Sequence, residues 1–445
     1  MNRNISLVIL DDDPTGTQTV HDVNVYTSYD RNAIESGMGE GPGMFFLLTN
    51  SRAFSAEKTK RIHKQIGRDV MTAAKRCGRD FIIVSRGDST LRGHWPLETD
   101  ALTDALEEGG LHIDGQILCP FFPEGGRITK GDVHYVREKG ALIPAGDTEF
   151  ARDATFGYRS SNLKEYVEEK TKGRIKAEEV ISVSLEDLRG DSEQVKKKLT
   201  KMNGGVMIVN AETYDDLEVF CGALWEAMDE GRHYVMRTAA AVPKVLGGVT
   251  DIPCLEGSEL VNRGKNGGLV VVGSHVKKST EQLELLLKLE GTVPIELNSD
   301  LVVRPELLKQ ECSRAVRECE KAISAGRTAV LYTKRKLLAP ENMTEEEKLA
   351  LSTRIADAVT DCVASISKRP AFVIAKGGIT SSEVGRVALD IKKAVVMGQA
   401  APGVPVWKPT KSSRYVGAPY IIFPGNVGEP ETLRDIVRKL QNALK

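Results

Sequence analysis

Short apolar runs rich in β-branched residues alternate along the chain with longer amphipathic segments. In the first half of the sequence, runs of strand length predict buried strands at Ile5–Leu10, Met44–Leu48, Phe81–Val84, Gln116–Leu118 and Val206–Val209. The segments between them predict helices at Ser55–Cys77, Pro96–Gly109 and Ser192–Met202. Strands that alternate with helices indicate a mostly parallel sheet covered on both faces.

A second series of the same kind follows after residue 255. It predicts strands at Leu269–Val272, Ala329–Tyr332, Phe372–Ala375, Ile391–Met397 and Tyr420–Phe423, and helices at Lys278–Leu289, Pro305–Ala325, Thr344–Ser367 and Glu429–Leu444. We therefore predict an α/β fold of two lobes, residues 1–255 and 268–445, joined by the glycine-rich and charged linker 256–267. The active site is expected in the cleft between the lobes, because ligands favour interdomain clefts.

Charge and cysteine content narrow the range of functions. The 445 residues include 61 Lys and Arg against 62 Asp and Glu, and this balance gives no general reason to bind nucleic acid or an anionic membrane. No apolar run is long enough for a membrane span, and the first run is too short for a signal peptide. Seven scattered cysteines without a CxxC pair indicate reduced thiols, so a cytoplasmic protein is expected.

Polar residues follow the first predicted strand, where ligands of parallel sheets bind. Asp11, Asp12 and Asp13 are adjacent, and a Pro-Thr-Gly-Thr turn comes next. Three crowded carboxylates repel one another unless a cation, hydroxyl donors or an arginine offsets their charge. A substrate or metal site is the favoured interpretation, and a strand cap with one Asp as N-cap is the alternative.

The third predicted strand ends in Arg86, and Asp88, Ser89 and Arg92 follow within six residues. Arg52, just after the second strand, is expected at the same edge. Arginine binds carboxylates and phosphates through paired hydrogen bonds, whereas Asp and Ser suit the hydroxyls of a polyol. This set predicts an anionic, hydroxyl-bearing ligand, and a surface loop with salt bridges is the alternative.

Two nearby features allow two interpretations each. The segment Phe121–Gly131 carries Arg127 and Lys130 and is either a mobile flap over the anionic end of a ligand or a plain structural loop. His94 is as consistent with a structural role as with a functional one.

Three glycine turns follow strands of the second lobe, at Gly273-Ser274, at Gly377-Gly378 and at Gly425. Such turns let a backbone approach a phosphate, and their hydroxyl-bearing neighbours add donors. Three of them at one sheet edge favour a nucleotide site, although the chain has neither a GxxxxGK[ST] P-loop nor a GxGxxG motif after a strand.

Eight ordered blocks resemble the four-carbon acid sugar kinase family and span nearly the whole chain. They are DDDPTGTQTVHDV from Asp11, TNSRA from Thr49, SRGDSTLRGHWPLE from Ser85, RTAA from Arg237, GSHV from Gly273, KGGITSSEVG from Lys376, GQAAPGVPVW from Gly398 and FPGNVG from Phe423. The resemblance implies an ATP-dependent kinase of threonate, erythronate or their oxo forms, acting at the terminal 4-hydroxyl. It implies an acid sugar in the N-terminal lobe and ATP in the C-terminal lobe.

The resemblance also implies the residues of both sites. The acid sugar is expected near Asp12, Asp13, Arg52, Arg86, Asp88, Ser89 and Arg92. ATP is expected near Ser274, Gly377, Gly378, Ile379, Thr380, Gly425 and Asn426. ATP would arrive with Mg²⁺, whose protein ligands the sequence does not identify. The expected partners are a small sugar acid and ATP, with no nucleic acid or membrane, and a homodimer stays open.

Asp12 and Asp88 are the candidate catalytic residues. We favour Asp12 as the base that accepts the hydroxyl proton, because a crowded carboxylate tends to have a raised pKa. Arg86 and Arg92, together with Arg52, would grip the substrate carboxylate. Family members carry Ser or Gly at position 87, and the glycine found here leaves the polyol identity open.

Three alternatives stay open beside a kinase of a simple four-carbon acid. The first is a kinase of a branched or oxidised sugar acid. The second is a two-lobed sensor that binds a sugar acid without catalysis. The third is an aldolase or dehydratase that uses the aspartates with a metal ion.

Overall fold

The computed structural model describes residues 4–138, 140–262, 264–336, 345–410 and 412–445, with the backbone alone for residues 345–350. The chain forms two compact units, Met1–Asp251 and Ile252–Lys445, here called the N-terminal and C-terminal units. Each unit is a mostly parallel sheet with flanking helices, as the alternation of strands and helices predicts.

The N-terminal unit begins with a strand that ends in the aspartates. Its strands are β1 (Ile5–Asp11), β2 (Asn24–Tyr26), β3 (Gly43–Leu48), β4 (Asp80–Arg86), β5 (Gly115–Cys119), β6 (Arg127–Lys130), β7 (Val133–Glu138), β8 (Ala141–Pro144), β9 (Ile181–Val183), β10 (Val206–Val209) and β11 (Tyr234–Thr238). Its α-helices are α1 (Arg31–Gly39), α2 (Ala56–Cys77), α3 (Leu97–Glu108), α4 (Leu163–Lys170), α5 (Leu185–Arg189), α6 (Ser192–Thr200), α7 (Tyr214–Asp229) and α8 (Ala241–Leu246).

The large sheet of this unit has the strand order β2-β3-β1-β4-β11-β5-β10-β9. Strand β1 runs parallel to both neighbours, with Asp11 opposite Leu48 of β3 and Arg86 of β4. Because parallel strands end at the same edge, this register brings together the polar segments that follow β1, β3 and β4. Buried residues of β1, β3 and β4 pack on α1, α2 and α3 below that edge.

Strands β6, β7 and β8 form a small antiparallel sheet, and β6 lies within the segment Phe121–Gly131 that the sequence predicts as a flap or loop. The sheet packs beside α4 through Val136, Leu163 and Tyr166, which belong to one buried cluster. His134 of β7 is fully buried; its Nε2 donates a hydrogen bond to Ser89 O (2.8 Å), and its Nδ1 is hydrogen-bonded to the Thr129 hydroxyl (2.9 Å). The segment is therefore built into the unit next to the loop that carries Asp88.

The C-terminal unit repeats the parallel architecture with a hairpin added. Its strands are β12 (Leu269–Val272), β13 (Thr292–Leu297), β14 (Thr328–Thr333), β15 (Val373–Lys376), β16 (Lys393–Ala401), β17 (Val404–Pro409) and β18 (Tyr420–Phe423). Its α-helices are α9 (Lys277–Leu287), α10 (Pro305–Ser324), α11 (Glu345–Ser365), α12 (Gly378–Glu383) and α13 (Thr432–Leu444). The strand order is β13-β14-β12-β15-β18-β17-β16, and among these described strands the antiparallel pairs are β16–β17 and β17–β18.

Most predicted helix boundaries lie within two residues of the observed ones, and the exceptions are few. Helix α13 begins at Thr432 rather than Glu429, and β16 runs from Lys393 to Ala401 rather than from Ile391 to Met397. The predicted start of α11 at Thr344 lies outside the described residues. The sequence pattern missed β2, β6 to β9, β11, β13 and β17, most of which are short or carry polar residues.

The segment predicted as a linker, 256–267, packs against the C-terminal unit. The compact units divide between Asp251 and Ile252. Leu260 is fully buried in the core of the C-terminal unit, and the Lys439 side chain donates a hydrogen bond to Leu255 O. Arg263, inside the predicted linker, lies outside the described residues.

The cysteines and the hydropathy of the helices were both considered in the sequence and can be described in the structure. All seven cysteines are free in the structure. Across the described residues, no helix combines the length and the apolar character needed to cross a bilayer.

Candidate functional site

Three aspartates at the end of β1 surround one nitrogen of Arg86. Arg86 Nη1 lies 2.9 Å from Asp11 Oδ1, 3.3 Å from Asp12 Oδ1 and 3.6 Å from Asp13 Oδ1. Arg86 is only 5% exposed, and Asp11 and Asp12 are 2% exposed each. The repulsion expected among the crowded carboxylates is therefore offset by a buried guanidinium.

Asp13 closes the turn that follows. Its side chain accepts hydrogen bonds from the backbone N–H and the hydroxyl of Thr15, so it acts as the N-cap of the turn at Pro14–Thr17. It also pairs with Arg52. The alternative that one of the three aspartates serves as a cap thus holds for Asp13.

Asp12 is the centre of the arrangement. Besides Arg86, it faces Arg52, whose Nε lies 3.1 Å from Asp12 Oδ2, and Arg237, whose Nη2 lies 3.7 Å from the same oxygen. Arg52 also reaches Asp88, with 3.9 Å between Nη1 and Oδ1. The loop after β3 and the loop after β4 are therefore joined through Arg52.

Asp88 belongs to the loop after β4. It accepts hydrogen bonds from Arg92 Nε at 2.7 Å and from the Thr90 hydroxyl. Ser89, between them, is buried, and its carbonyl oxygen is held by His134. The structure therefore brings together Asp12, Asp13, Arg52, Arg86, Asp88, Ser89 and Arg92, which we call the aspartate–arginine cluster.

The cluster has an inner and an outer layer. The side chains of Asp11, Asp12 and Arg86 are at most 5% exposed, whereas those of Arg52 and Arg92 are 19% and 23% exposed. An incoming ligand would meet the outer arginines before it met Arg86. This placement differs from the expected grip of Arg86 on a carboxylate, because its guanidinium is engaged by the aspartates beneath the surface.

The pKa values of two aspartates move in opposite directions. Burial raises the pKa of Asp11 to about 7, although Arg86 opposes that rise. Burial alone would also raise the pKa of Asp88, but the charges of Arg92 and Arg52 outweigh it and hold that pKa well below its usual range. The raised pKa expected of a crowded carboxylate therefore falls on Asp11, while Asp88 is a permanent anion.

The three aspartates lie close enough together to be a candidate metal site. One oxygen from each lies within 4.8 Å of the others, a spacing that suits a hard cation. Arg86 Nη1, however, lies within 3.6 Å of an oxygen from every one of them and fills the position that a cation would take. In this arrangement the aspartates do not fit Mg²⁺.

A buried layer that the sequence analysis missed supports the cluster. Glu98 of α3 is 1% exposed and accepts hydrogen bonds from Arg237 Nη1 at 2.6 Å and from the Ser51 hydroxyl at 2.5 Å. Arg237, at the end of β11, then reaches Asp12 and the carbonyl of Arg92. Arg237 follows the same strand-end rule as the other residues, so a correct prediction of β11 would have identified it.

Gly87 provides the space for Arg237. A Cβ atom at residue 87 would lie 1.9 Å from Arg237 Cζ, closer than any real contact. Residue 87 therefore lies against the guanidinium of Arg237, and a side chain at this position would have to displace it.

We expect Gly87→Ser to destabilise the protein by about 1–3 kcal/mol, because the new side chain must displace Arg237 from its bond with Glu98. Chemical denaturation measures this loss. Gly222→Ser in α7 is the matched control, since nothing lies within 4 Å of a Cβ there, and its effect should stay within about 0.5 kcal/mol. Equal stability of the two variants would show that Arg237 does not need the space.

In the C-terminal unit, the turns after β12, β15 and β18 meet. A Cβ atom at Gly377 would lie 2.8 Å from Ser274 Cβ, and one at Gly425 would lie 3.3 Å from Ser274 Oγ. A Cβ atom at Gly273 would lie 2.4 Å from Thr380 Oγ1. Gly377 has φ of 110°, which favours glycine. We call Ser274, Gly377, Thr380 and Gly425 the glycine-turn cluster.

The other residues predicted around this cluster take different positions. Gly378 starts the short helix α12, and Asn426 follows Gly425 in its turn. Ile379 is 66% exposed, which is unusual for a large apolar side chain. Ser279 of α9 joins the turns by donating hydrogen bonds to Ser274 Oγ (3.1 Å) and Gly425 O (3.2 Å).

Two basic residues next to the cluster were not predicted as site residues. Lys376 is fully buried, and its Nζ donates a hydrogen bond to Pro424 O at 2.6 Å. Arg335, just after β14, donates to Ser274 O, while its Nε and Nη1 are buried without a hydrogen-bond partner among the described residues. Lys376 shapes the turn of Gly425, and Arg335 presents unused donors beside Ser274.

The buried lysine predicts a pH dependence. Burial lowers the pKa of Lys376 to about 6, with a smaller contribution from Lys278. Above that pH the unfolded chain binds one more proton than the folded chain, so stability rises with pH between about pH 6 and about pH 10. Lys376→Met should remove up to about 1.4 kcal/mol per pH unit of this slope.

Denaturation curves across that pH range test this expectation. Lys408→Met removes an exposed lysine from β17 and serves as control, because its slope should match the wild type. A slope that is unchanged in Lys376→Met would mean that the buried amine stays charged.

Comparisons with known proteins agree with this division of the chain. The model of a sugar-binding N-terminal domain matches residues 7–246, more than half of the chain, and that of a nucleotide-binding C-terminal domain matches residues 269–433. The chain belongs to the four-carbon acid sugar kinase family. The aspartate–arginine cluster thus lies in the family's sugar-binding domain and the glycine-turn cluster in its nucleotide-binding domain.

Solved structures share the fold of this family member. A Salmonella typhimurium LT2 protein provisionally named a tRNA synthase aligns with a TM-score of 0.70 at 15% identity, covering 96% of this chain and 98% of that one. The Haemophilus influenzae protein HI1011, of the DUF1537 family, aligns with a TM-score of 0.64 at 16% identity, covering 98% and 100%. No curated protein matches the sequence. At these identities the likeness concerns the fold alone.

Proposed function

We propose that this protein is an ATP-dependent kinase that phosphorylates the terminal 4-hydroxyl of a four-carbon acid sugar such as threonate, erythronate or a 3-oxo-tetronate. The observation that carries the proposal is the aspartate–arginine cluster of the sugar-binding domain. It combines hydroxyl acceptors and guanidinium donors at one sheet edge. A ligand that complements it has several hydroxyls and a negative charge.

The aspartates of the cluster have separate roles in this proposal. Asp88 is held ionised by Arg92 and Arg52, so it suits a hydroxyl that needs an acceptor. Asp13 is occupied as a cap. Asp12 is the proposed base, because its position among Arg52, Arg86 and Arg237 fixes it at the centre of the cluster. Arg52 and Arg92, which are the more exposed arginines, hold the substrate in place.

ATP is assigned to the glycine-turn cluster of the nucleotide-binding domain. Ser274 and Thr380 supply hydroxyls, and Gly377 and Gly425 let the backbone approach phosphate oxygens. Arg335 fits the same ligand, since its buried Nε and Nη1 have no hydrogen-bond partner among the described residues and its Nη2 already holds Ser274 O. These donors would offset negative charge on a phosphate chain.

Phosphoryl transfer depends mainly on positioning and on neutralisation of the transferred group. The proposal therefore requires that both ligands meet during turnover, with the sugar hydroxyl in line with the γ-phosphate. Mg²⁺ that arrives with ATP supplies further charge neutralisation, and no step proposed here depends on protein ligands for it.

The metal-dependent aldolase or dehydratase is disfavoured by the position of Arg86. Its Nη1 occupies the centre of the three aspartates, where such a metal would have to bind. A sensor without catalysis differs from the kinase in one respect: it binds a sugar acid and consumes no ATP.

An assay of ADP release tests the proposal. The panel consists of the four tetronate stereoisomers, 3-oxo-tetronates and branched sugar acids, each with and without Mg-ATP. The kinase predicts ADP release that depends on one or a few of these acids. Binding of a sugar acid by calorimetry with no ADP release from any of them would favour the sensor.

A further inference from the structure

Arg127, the first residue of β6, is a buried cation for which the described residues supply no counterion. It is 9% exposed. Among the described residues, every carboxylate oxygen lies more than 4.0 Å, the limit for an ion pair, from the guanidinium nitrogens of Arg127. A buried guanidinium without a paired charge is costly and therefore rare in a folded protein.

The neighbouring arginines are different in this respect. Arg52 pairs with Asp12, Asp13 and Asp88, and Arg86 pairs with the aspartates of β1. Arg92 pairs with Asp88 and approaches Asp153 at 3.6 Å, and Arg237 pairs with Glu98. Each of these four arginines therefore pairs with at least one carboxylate, whereas Arg127 pairs with none in the described part of the chain.

The hydrogen bonds of Arg127 are also incomplete. Its Nη1 donates to Gly125 O, whereas its Nε is buried and has no hydrogen-bond partner in the part of the chain that the structure describes. Burial lowers the pKa of Arg127, and the charge of Asp88 opposes that effect from beyond ion-pair distance. An acceptor group is therefore missing on the side of Nε.

Arg127 lies close to the outer layer of the cluster. The ring of Phe150 packs against two guanidiniums, with its centroid 5.1 Å from Arg92 Cζ and 5.8 Å from Arg127 Cζ. The backbone of Arg127 is fixed by hydrogen bonds with Phe122, and β6 pairs with β7. The unpaired guanidinium is thus held rigidly next to Arg92.

We propose that Arg127 binds the carboxylate of the sugar-acid substrate, with Arg92 beside it. This inference rests on the proposed function and adds an orientation to it. The carboxylate end of the substrate points toward β6 and Phe150, and the hydroxyl to be phosphorylated points toward Asp12. The substrate carboxylate supplies the hydrogen-bond acceptor that Arg127 Nε lacks. It also supplies a negative charge, which each of the other arginines obtains from an aspartate or glutamate.

The test compares Arg127→Met, Arg127→Lys and wild type, with the tetronate that the wild type phosphorylates best as substrate. Arg127→Met should raise the KM for that tetronate at least about tenfold, since a hydrogen-bonded charge pair is lost. Arg127→Lys should restore part of the affinity. The unfolding midpoint of ligand-free Arg127→Met should equal or exceed that of wild type, because the variant removes an unpaired buried charge. Arg137→Met, an exposed arginine of β7, is the control and should change neither quantity.

Each other outcome overturns the inference. An unchanged KM in Arg127→Met, whatever happens to kcat, removes Arg127 from carboxylate binding. A loss of stability in ligand-free Arg127→Met shows a structural role instead. If wild type neither phosphorylates nor binds any tetronate in calorimetry, the proposed function fails together with the inference. Turnover by wild type with an unaltered KM in the variant refutes the inference alone.

Discussion

Replacement of Arg86 by methionine is expected to destabilise the sugar-binding domain by about 3–5 kcal/mol. The substitution keeps much of the side-chain volume and removes the guanidinium whose Nη1 lies within 3.6 Å of Asp11, Asp12 and Asp13. Two of these carboxylates are 2% exposed, so water cannot replace the lost partner. Arg86→Met should therefore be the most damaging single substitution in the cluster.

The deficit should also depend on pH. Burial already raises the pKa of Asp11 to about 7 from 3.8, so the folded state binds more protons than the unfolded state between these values. Stability from this group is present at low pH and is lost as pH rises through about 7. Without Arg86 the carboxylates favour protonation even more, and the deficit of Arg86→Met should be larger at about pH 8 than at about pH 5.

Urea denaturation at both pH values measures the effect. Arg68→Met is the matched control, because Arg68 is half exposed and pairs with Glu108 on the surface, where an ion pair contributes at most about 1 kcal/mol. A deficit of Arg86→Met that is no larger than that of the control would contradict the view that this guanidinium holds the aspartates together.

Replacement of Asp12 by asparagine should lower kcat for the preferred sugar acid by at least about a hundredfold. The substitution preserves shape but removes the basic oxygen and the charge that faces Arg52, Arg86 and Arg237. Because Arg92 and Asp88 are unchanged, the KM for the sugar acid should move much less than kcat. Steady-state kinetics separate the two parameters.

Asp22→Asn is the control for this substitution. Asp22 is 83% exposed and has φ of 55°, a conformation that asparagine also adopts readily. It lies near Asp12 in sequence but does not pair with the arginines of the cluster. Turnover by Asp12→Asn at a rate near that of Asp22→Asn would move the role of base to another carboxylate, with Asp88 the next candidate.

The strand-end rule explains why so much of the candidate site follows from the sequence. Asp11 and Arg86 are the last residues of β1 and β4, and these strands are direct neighbours. The apolar runs of both strands are long enough to be recognised, so their ends and the residues beyond them were predictable. The same holds for Ser274 and Gly377 after β12 and β15.

The pairing within the site was not predictable in the same way. Whether Arg86 faces solvent or the aspartates depends on burial by elements distant in sequence, and Arg86 and Asp11 are 75 positions apart. The expectation that Arg86 grips the substrate carboxylate rests on residue types and on the family resemblance. Neither source shows that three aspartates surround that guanidinium.

Short strands with charged residues were the other source of error. Strand β11 has the sequence Tyr-Val-Met-Arg-Thr. It lies in the centre of the sheet between β4 and β5, although it follows both strands by more than 100 residues in the chain. Arg237 was therefore overlooked. Strand β6 contains Arg127 and Lys130 and resembles a loop in sequence, yet packing against β7 buries Arg127.

Phosphorus NMR of a reaction that contains wild-type protein, Mg-ATP and a tetronate tests the central claim most directly. The account predicts that the γ-phosphate signal of ATP is replaced by that of ADP and by a phosphomonoester coupled to the protons on carbon 4 of the sugar acid. Release of inorganic phosphate alone, or persistence of intact ATP with every sugar acid of the panel, would contradict it.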